Sequence, residues 1–305
     1  MSKNLEKFLR KRKSVKNNVI KYFIVYEKNF DDFQFFNKNG FLRDQVELND
    51  GIERNAWEFL NSQLCIPLDY FEMKVEASFV EDGSLLKKQL ATCLKYGLIH
   101  NAITYYRQKL ALVRYGRELR NRVAPHSIFN LAIATIIERH DKADNLFEFL
   151  SEGYRRGWIN RSKSHLTDFM LLLFAQYKTE RLSCTVNDFA YQHIVDDWDT
   201  ADPDKIISYI TLLCDEQVMQ VAAPPSKCFF EFNNMNWQFI PYPALMLLAL
   251  RKACGIDTPD IEHSAFGKLN DIPLVDGEDV HDEVFEQLTA KLKQQGFDMN
   301  AIFGS

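Results

Sequence analysis

The segment from Trp237 to His263 constrains the fold of this chain more than any other stretch. It reads WQFIPYPALMLLALRKACGIDTPDIEH, with two prolines before an apolar run and Gly255 after it. Pro241 and Pro243 fit the first turn of a helix, where backbone N–H groups lack partners in any case. The run is apolar on almost every face, and it is shorter than the about 20 residues that a membrane span needs. It therefore predicts a central core helix that ends at Gly255.

The sparse glycine and proline content extends this prediction to the whole chain. Only 12 Gly and 9 Pro occur in 305 residues, of which 46% are hydrophobic. Long apolar periodicity predicts an all-α fold, a layered array of antiparallel helix pairs without significant sheet. Pairs are expected over 126–159 and 164–198, with turns at 140–142 and 178–181, and a third pair is expected to start at Pro203. We expect an N-terminal helical region, 1–122, and a helical-pair region, 123–305, packed as one continuous body.

Helix boundaries in the first region follow from capping and punctuation. The pattern predicts an amphipathic helix from Asn4 to about Tyr26 and a break over 30–40, where four Phe, Asn and Gly cluster. Further helices are expected from Asp44 to Leu64, from Pro67 to about residue 82, and from a Ser84 cap to about Tyr115. Gly97 lies inside the last of these and predicts a close contact with another helix, since glycine otherwise costs about 1 kcal/mol there.

Charge is distributed unevenly along the chain. Residues 1–21 carry eight Lys or Arg and one Glu, which leaves 29 basic and 41 acidic residues elsewhere, a net charge of −12. The basic first helix is expected to pack against this acidic body, and a contact with an anionic membrane or a nucleic acid is the alternative. The overall charge of −5 argues against a nucleic-acid binder.

The six cysteines form no CxxC pair and no cluster with zinc-type spacing. We expect all of them to be free and mostly buried thiols, as in a reducing cytoplasm: Cys65, Cys93, Cys184, Cys214, Cys228 and Cys254. The charged start has no signal-peptide pattern, which also favours a cytoplasmic protein.

No enzymatic template is recognisable. The sequence has no GxGxxG, P-loop, HExxH or GxSxG motif, and its histidines do not form a metal-type pair. We expect no cofactor, no metal and no catalytic residue. An enzyme with scattered catalytic residues remains an alternative.

The candidate binding site is the acidic connection, residues 196–204, which reads DDWDTADPD. Asp202 is expected to cap the helix that begins at Pro203, but the other acids exceed what capping needs. Carboxylates around an exposed aromatic suit a basic partner, with steering from the charge and anchoring from the ring. The predicted partner-binding residues are Asp196, Asp197, Trp198, Asp199, Asp202 and Asp204. A second acidic cluster, residues 276–286, either favours the dipole of the last helix or binds a partner.

The C-terminal segment resembles the closing stretch of the immunity 49 family of bacterial polymorphic-toxin systems. That family ends in a leucine- and alanine-rich helix, a Gly-Ile step and a short acidic and hydrophobic segment. The matching residues here are Pro243, Ala244, Leu247, Ala249, Gly255, Ile256, Ile261 and Glu262.

The resemblance implies a cytoplasmic antidote that binds a cognate toxin domain and occludes it. A basic toxin would suit the acidic body. The competing class is a helical-repeat scaffold or adaptor, which would bind a peptide or several partners in a continuous groove.

Overall fold

Helices dominate the structure, as the sequence predicts. This computed structural model describes residues 2–43, 56–120, 123, 126–159, 165–224, 232, 237–280, 282–297 and 299. The helices are α1 (Lys3–Arg12), α2 (Val15–Asn39), α3 (Ala56–Gln63), α4 (Cys65–Asp82), α5 (Lys87–Tyr115), α6 (His126–Ile136), α7 (His140–Arg156), α8 (His165–Tyr177), α9 (Gln192–Asp196), α10 (Pro203–Ala222), α11 (Tyr242–Ala253) and α12 (Asp282–Gln294).

Strands are confined to two short pairs in these ranges. They are β1 (Leu85–Leu86), β2 (Glu262–His263), β3 (Gly267–Lys268) and β4 (Leu274–Val275). β1 pairs in parallel with β4, and β2 pairs antiparallel with β3. The prediction of an all-α fold without significant sheet is therefore confirmed. Within the described ranges, no helix combines the length and the apolarity that a membrane span requires.

The predicted core helix is α11, and it lies against the centre of the fold. Helix α6 packs against α5, α7, α8 and α11. α11 follows Pro241 at its N-cap, and Gly255 just beyond it takes the left-handed conformation with φ of +68°. At the entry to α11 the Trp237 ring stacks on Phe129 at 4.2 Å between centroids. The central position of this helix is confirmed.

Gly97 makes the close helix contact that its position in α5 predicts. A Cβ atom placed on it would lie 2.7 Å from the amide group of Asn130 on α6. Atoms that are not bonded to each other do not come this close. Helices α5 and α6 can therefore meet here because residue 97 has no side chain.

The predicted break over 30–40 is wrong. Helix α2 runs through it to Asn39 because Phe33 and Phe36 are fully buried at helical spacing from Tyr26. The helix ends at Gly40, which has φ of +81°. The actual interruption lies earlier, between Arg12 and Val15. The phenylalanines that suggested a turn are the apolar face of a longer helix.

The remaining N-terminal boundaries agree in part. Helix α4 begins at Cys65, two residues before Pro67, and ends at Gly83. β1 lies between Ser84 and α5, so Leu86 rather than Ser84 is the N-cap residue of α5. The helix predicted from Asp44 appears as α3, and residues 44–55 lie outside the described part of the chain.

Of the predicted helix pairs, the first is present and the second is wrong. Helices α6 and α7 pack together across a turn at 137–139, where Glu138 has φ of 59°. The turn predicted at 140–142 is wrong by three residues, since α7 already begins at His140. After α8, Thr179 takes φ of 55° and the chain leaves the helical path. Thr185 then bonds the Tyr154 hydroxyl through its backbone N–H at 3.3 Å. The expected second helix is reduced to the five residues of α9, and the segment before it is irregular.

The basic first helix packs against the body of the protein. Helix α1 contacts α10, and Phe8 is fully buried. Lys11 donates to the carbonyl of Val221 at 2.5 Å, and Arg12 donates to the carbonyls of Ala265 at 2.7 Å and Phe79 at 3.2 Å. The intramolecular interpretation is confirmed for the end of α1.

The thiols are free but less buried than predicted. Cys93 and Cys214 are buried, Cys65 and Cys184 are half-buried, and Cys254 is exposed. Burial raises the pKa of Cys65 to about 12, so this thiol stays protonated. Cys228 lies outside the described residues.

Candidate functional site

The acidic connection joins α9 to α10 on the surface. The Asp202 carboxylate accepts the backbone N–H groups of Asp204 at 3.0 Å and Lys205 at 3.3 Å. This is the predicted N-cap of α10, and it is confirmed. Asp196, Asp199 and Asp204 have exposed side chains, and Asp202 is exposed as well. The connection therefore presents carboxylates on a backbone that helix capping fixes.

Trp198 does not have the predicted exposure. Only 8% of its surface is accessible, and its ring meets Tyr177 edge-on at 6.3 Å between centroids. The expectation of an exposed anchoring ring was wrong, because an apolar ring between two helices gains more by packing on α8 than by facing water. The Trp198 side chain thus packs between the acidic connection and α8, while the carboxylates next to it in the sequence face the solvent.

Two of the aspartates have local partners. Asp196 accepts a hydrogen bond from Gln192 Nε2 at 2.8 Å. Asp197 accepts from Lys205 Nζ at 3.0 Å and from the Tyr209 hydroxyl at 2.9 Å. These bonds, that from Lys205 first, lower the pKa of Asp197. Asp197 thus bonds to neighbouring side chains, although the sequence predicted it to be a partner-binding residue.

A buried arginine on α11 fixes the acidic connection to the rest of the fold. Arg251 is only 1% exposed. Its Nη1 donates to the carbonyls of Trp198 at 2.9 Å and Thr200 at 3.0 Å. Its Nη2 donates to the carbonyl of Asp257 at 2.8 Å, and its Nε donates to the Thr258 hydroxyl at 2.9 Å. One planar guanidinium therefore holds two distant loops together.

Two carboxylates lie close enough to this guanidinium to interact with it electrostatically. Burial lowers the pKa of Arg251, and the nearby Asp199 and Asp257 counteract that effect. Both carboxylates are exposed on their outer side. We name the resulting five residues the acidic surface: Asp196, Asp199, Asp202, Asp204 and Asp257. Four of them come from the sequence prediction, and Asp257 is added by the fold.

A groove lies beside the acidic surface and shares Asp257 with it. It has a volume of about 790 Å³ and runs between the α6–α7 turn, α11 and the residues before β4. Its apolar lining residues are Leu85, Ile136, Leu245, Leu248, Ala249, Ile256, Leu269, Ile272 and Leu274. The carboxylates on its lining are Glu138, Asp257, Asp260 and Asp271. An apolar floor with a mostly acidic rim suits a segment that carries both apolar and basic side chains.

One rim of the groove also carries basic groups. Lys252 Nζ lies 3.0 Å from Glu138 Oε1, and His140 lines the groove nearby. The hydrogen bond from Lys252 lowers the pKa of Glu138. Because Lys252 and Glu138 are both exposed, the pair contributes little to stability and can open for a ligand.

The second acidic cluster has partners within the protein. Glu278 pairs with Lys74 on α4, and Asp279 Oδ1 lies 2.5 Å from Lys88 Nζ on α5. The pairing lowers the pKa of each carboxylate. These acids fasten the segment before α12 to the fold, so the cluster offers less free negative charge than the acidic surface.

Two glutamates of α4 are buried in the core and hold the entry to α11. Glu72 accepts from Trp237 Nε1 at 2.8 Å, and Glu76 accepts from the backbone N–H of Phe239 at 2.6 Å. Burial raises the pKa of Glu76 well above its ordinary value. Glu72 thus holds a side chain of the Pro-rich segment before α11, and Glu76 holds its backbone.

Among the described residues, no group of three or more His, Cys, Asp or Glu side chains has an arrangement that could hold a metal ion. Burial lowers the pKa of His100 to about 4, which leaves that imidazole neutral. No family model, curated protein or solved structure matches this chain.

Proposed function

We propose that this protein is an immunity protein that binds a basic toxin domain through the acidic surface and occludes it. The resemblance of residues 237–263 to the immunity 49 family motivates the class, and the acidic body favours a basic partner. On this proposal the protein acts by binding and carries no catalytic residue.

The observation that carries the proposal is the fixed presentation of the carboxylates. The buried Arg251 holds the backbone of the connection at Trp198 and Thr200 and the backbone carbonyl of Asp257, and Asp202 caps α10. A complex has a higher affinity when its charged groups are held in place before binding, because less conformational entropy is lost on association. Fixed negative charge also steers a basic partner during diffusion and raises the association rate.

The test uses charge reversal at exposed positions that neither cap a helix nor pair with a lysine. Asp196, Asp199 and Asp204 are changed together to Lys, while Asp197 and Asp202 are kept because they pair with Lys205 and cap α10. The binding partner in the assay is the protein encoded beside this chain. We expect the variant to associate about tenfold or more slowly, with a weaker dependence on salt. It should also lose protection of cells that express the partner.

The matched control is Glu148→Lys with Glu6→Lys and Asp31→Lys, which makes the same change in net charge at exposed positions on α7, α1 and α2. We expect it to bind and protect like the unmodified protein. Equal effects in the two triple variants would show that only the net charge matters. A partner that is not toxic, or not bound, would refute the immunity function.

A helical scaffold that binds a peptide is the second candidate, and the groove beside α11 favours it. Ala249 is half-buried on the groove lining, so Ala249→Arg fills the groove without opening the core. If this variant abolishes partner binding while the acidic-surface variant does not, the protein works as a peptide-binding scaffold.

A further inference from the structure

The outer face of α2 exposes large apolar side chains that the rest of the described chain covers only in part. Ile20 is 63% exposed and Ile24 is 65% exposed, and Val25 is exposed beside them. Phe23 is 40% exposed, and its ring contacts Tyr70 at 5.7 Å between centroids. Four large apolar residues within six positions form a patch rather than the scattered exposure that is normal on a protein surface. The patch therefore needs an explanation in terms of a contact.

The opposite face of the same helix is fully used by the fold. Tyr26, Phe33 and Phe36 are buried, and α2 packs against α4 and α12. Ile20 and Ile24 lie one turn apart on the side that faces away from this core. Helix α2 is thus an outer layer whose exposed face is accessible along its N-terminal half.

Lysines frame the apolar patch. Lys13, Lys21 and Lys28 are exposed, and no carboxylate of the described residues lies within ion-pair distance of them. Lys16 is also on this face and pairs with Glu81 at 2.5 Å. Such lysines can lay their methylene stems along the patch and extend their ammonium groups beyond it.

Acidic residues accompany the lysines at the C-terminal end of this face. Residues 13–28 contain four lysines and Glu27, a net charge of +3, and Asp31 is exposed one turn after Glu27. The segment from 13 to 28 is therefore basic overall, and its charge becomes mixed from Glu27 onward. Its helical part begins at Val15 and comprises about four turns.

We propose that residues 13–28 form a peripheral binding site for an anionic lipid surface. A helix with apolar residues at its centre and lysines at its flanks lies in the membrane interface, with its apolar side chains among the acyl chains and its ammonium groups at the phosphates. The chain beyond residue 21 has a net charge of −12, so an anionic surface repels most of the protein. The protein is therefore expected to approach that surface with residues 13–28 facing the lipid.

The experiment is co-sedimentation of the full chain with vesicles of phosphatidylcholine alone or with about one-third phosphatidylglycerol. We expect binding only to the anionic vesicles, and weaker binding at about 200 mM salt than at about 50 mM. Ile20→Ser with Ile24→Ser should lower the partition coefficient about tenfold or more, since both side chains lose their apolar contact with lipid. Changing Lys13, Lys21 and Lys28 to Glu should have an effect at least as large.

The matched control is Ile207→Ser with Leu212→Ser, which removes two exposed apolar residues from α10. It should bind vesicles like the unmodified protein, and unchanged circular dichroism should show that every variant is folded. Equal losses in the control and the α2 variants would overturn the proposal, as would absence of binding to anionic vesicles. Self-association that Ile20→Ser and Ile24→Ser abolish, without vesicle binding, would assign the face to a second copy of the chain instead.

Discussion

The strongest structural prediction concerns Arg251, which fastens the acidic connection to α11. Replacing it with Met keeps most of the volume and the apolar stem but removes the guanidinium. The carbonyls of Trp198, Thr200 and Asp257 and the Thr258 hydroxyl then lose their donors. Each buried acceptor left without a partner costs about 1–3 kcal/mol, and hydrogen bonds to a charged group are at the upper end.

These costs do not simply add. The exposed side of the acidic connection lets water reach some of the carbonyls, and the arginine's own desolvation cost disappears with the charge. We therefore expect Arg251→Met to lower the free energy of unfolding by about 3–5 kcal/mol. Partner binding through the acidic surface should weaken as well, because the two loops that carry Asp199 and Asp257 lose the group that holds their backbones.

Equilibrium unfolding in urea measures the loss, and the neighbouring lysine supplies the control. Lys252→Met removes an exposed ion pair with Glu138, so it should change the free energy of unfolding by less than about 0.5 kcal/mol. A loss below about 1 kcal/mol for Arg251→Met would refute the assignment of Arg251 as the residue that holds the two loops.

Two further predictions test the core. Because the pKa of Glu76 is raised in the folded protein, its contribution to stability is complete below the unfolded pKa and declines as pH rises toward the folded pKa. The advantage of Glu76→Gln over the unmodified protein should therefore be larger at pH 8 than at pH 5 in urea unfolding, and a pH-independent difference would contradict the burial argument. Gly97→Ala should destabilise by about 1–3 kcal/mol because its Cβ would meet Asn130 at 2.7 Å. Gly153→Ala, whose Cβ would find only ordinary contacts from 3.5 Å outward, should be neutral or stabilising in thermal unfolding.

Local patterns predicted the helices better than the site. Pro241 and Gly255 mark the limits of α11 because proline and glycine act on the backbone next to them. The α2 error arose from reading Phe33 and Phe36 as part of a turn, although their spacing continues the buried face of the helix. Composition alone does not separate these interpretations, because the burial of a face depends on what packs against it.

The role of Arg251 could not be located from the sequence, although one signal was present. It continues the helical spacing of Ala244 and Leu247, and an arginine on a buried stripe requires acceptors. Those acceptors include the carbonyls of Trp198 and Thr200, more than fifty residues earlier in the chain. Neither the acceptors nor the burial of Trp198 follows from local periodicity, so the fold itself was needed to define the acidic surface.

The bond from Arg12 to the carbonyl of Ala265 spans 253 residues and has a consequence for synthesis of the chain. At about 5–20 residues per second, the ribosome adds Ala265 roughly 13–50 s after it has added Arg12. During that time Phe8, which is fully buried in the folded protein, has no completed pocket, because its ring neighbours Phe239 and Phe266 are not yet made. Helix α1 must therefore dock after translation has passed residue 266, so a nascent chain shorter than this should remain a target for chaperones that bind exposed aromatic residues.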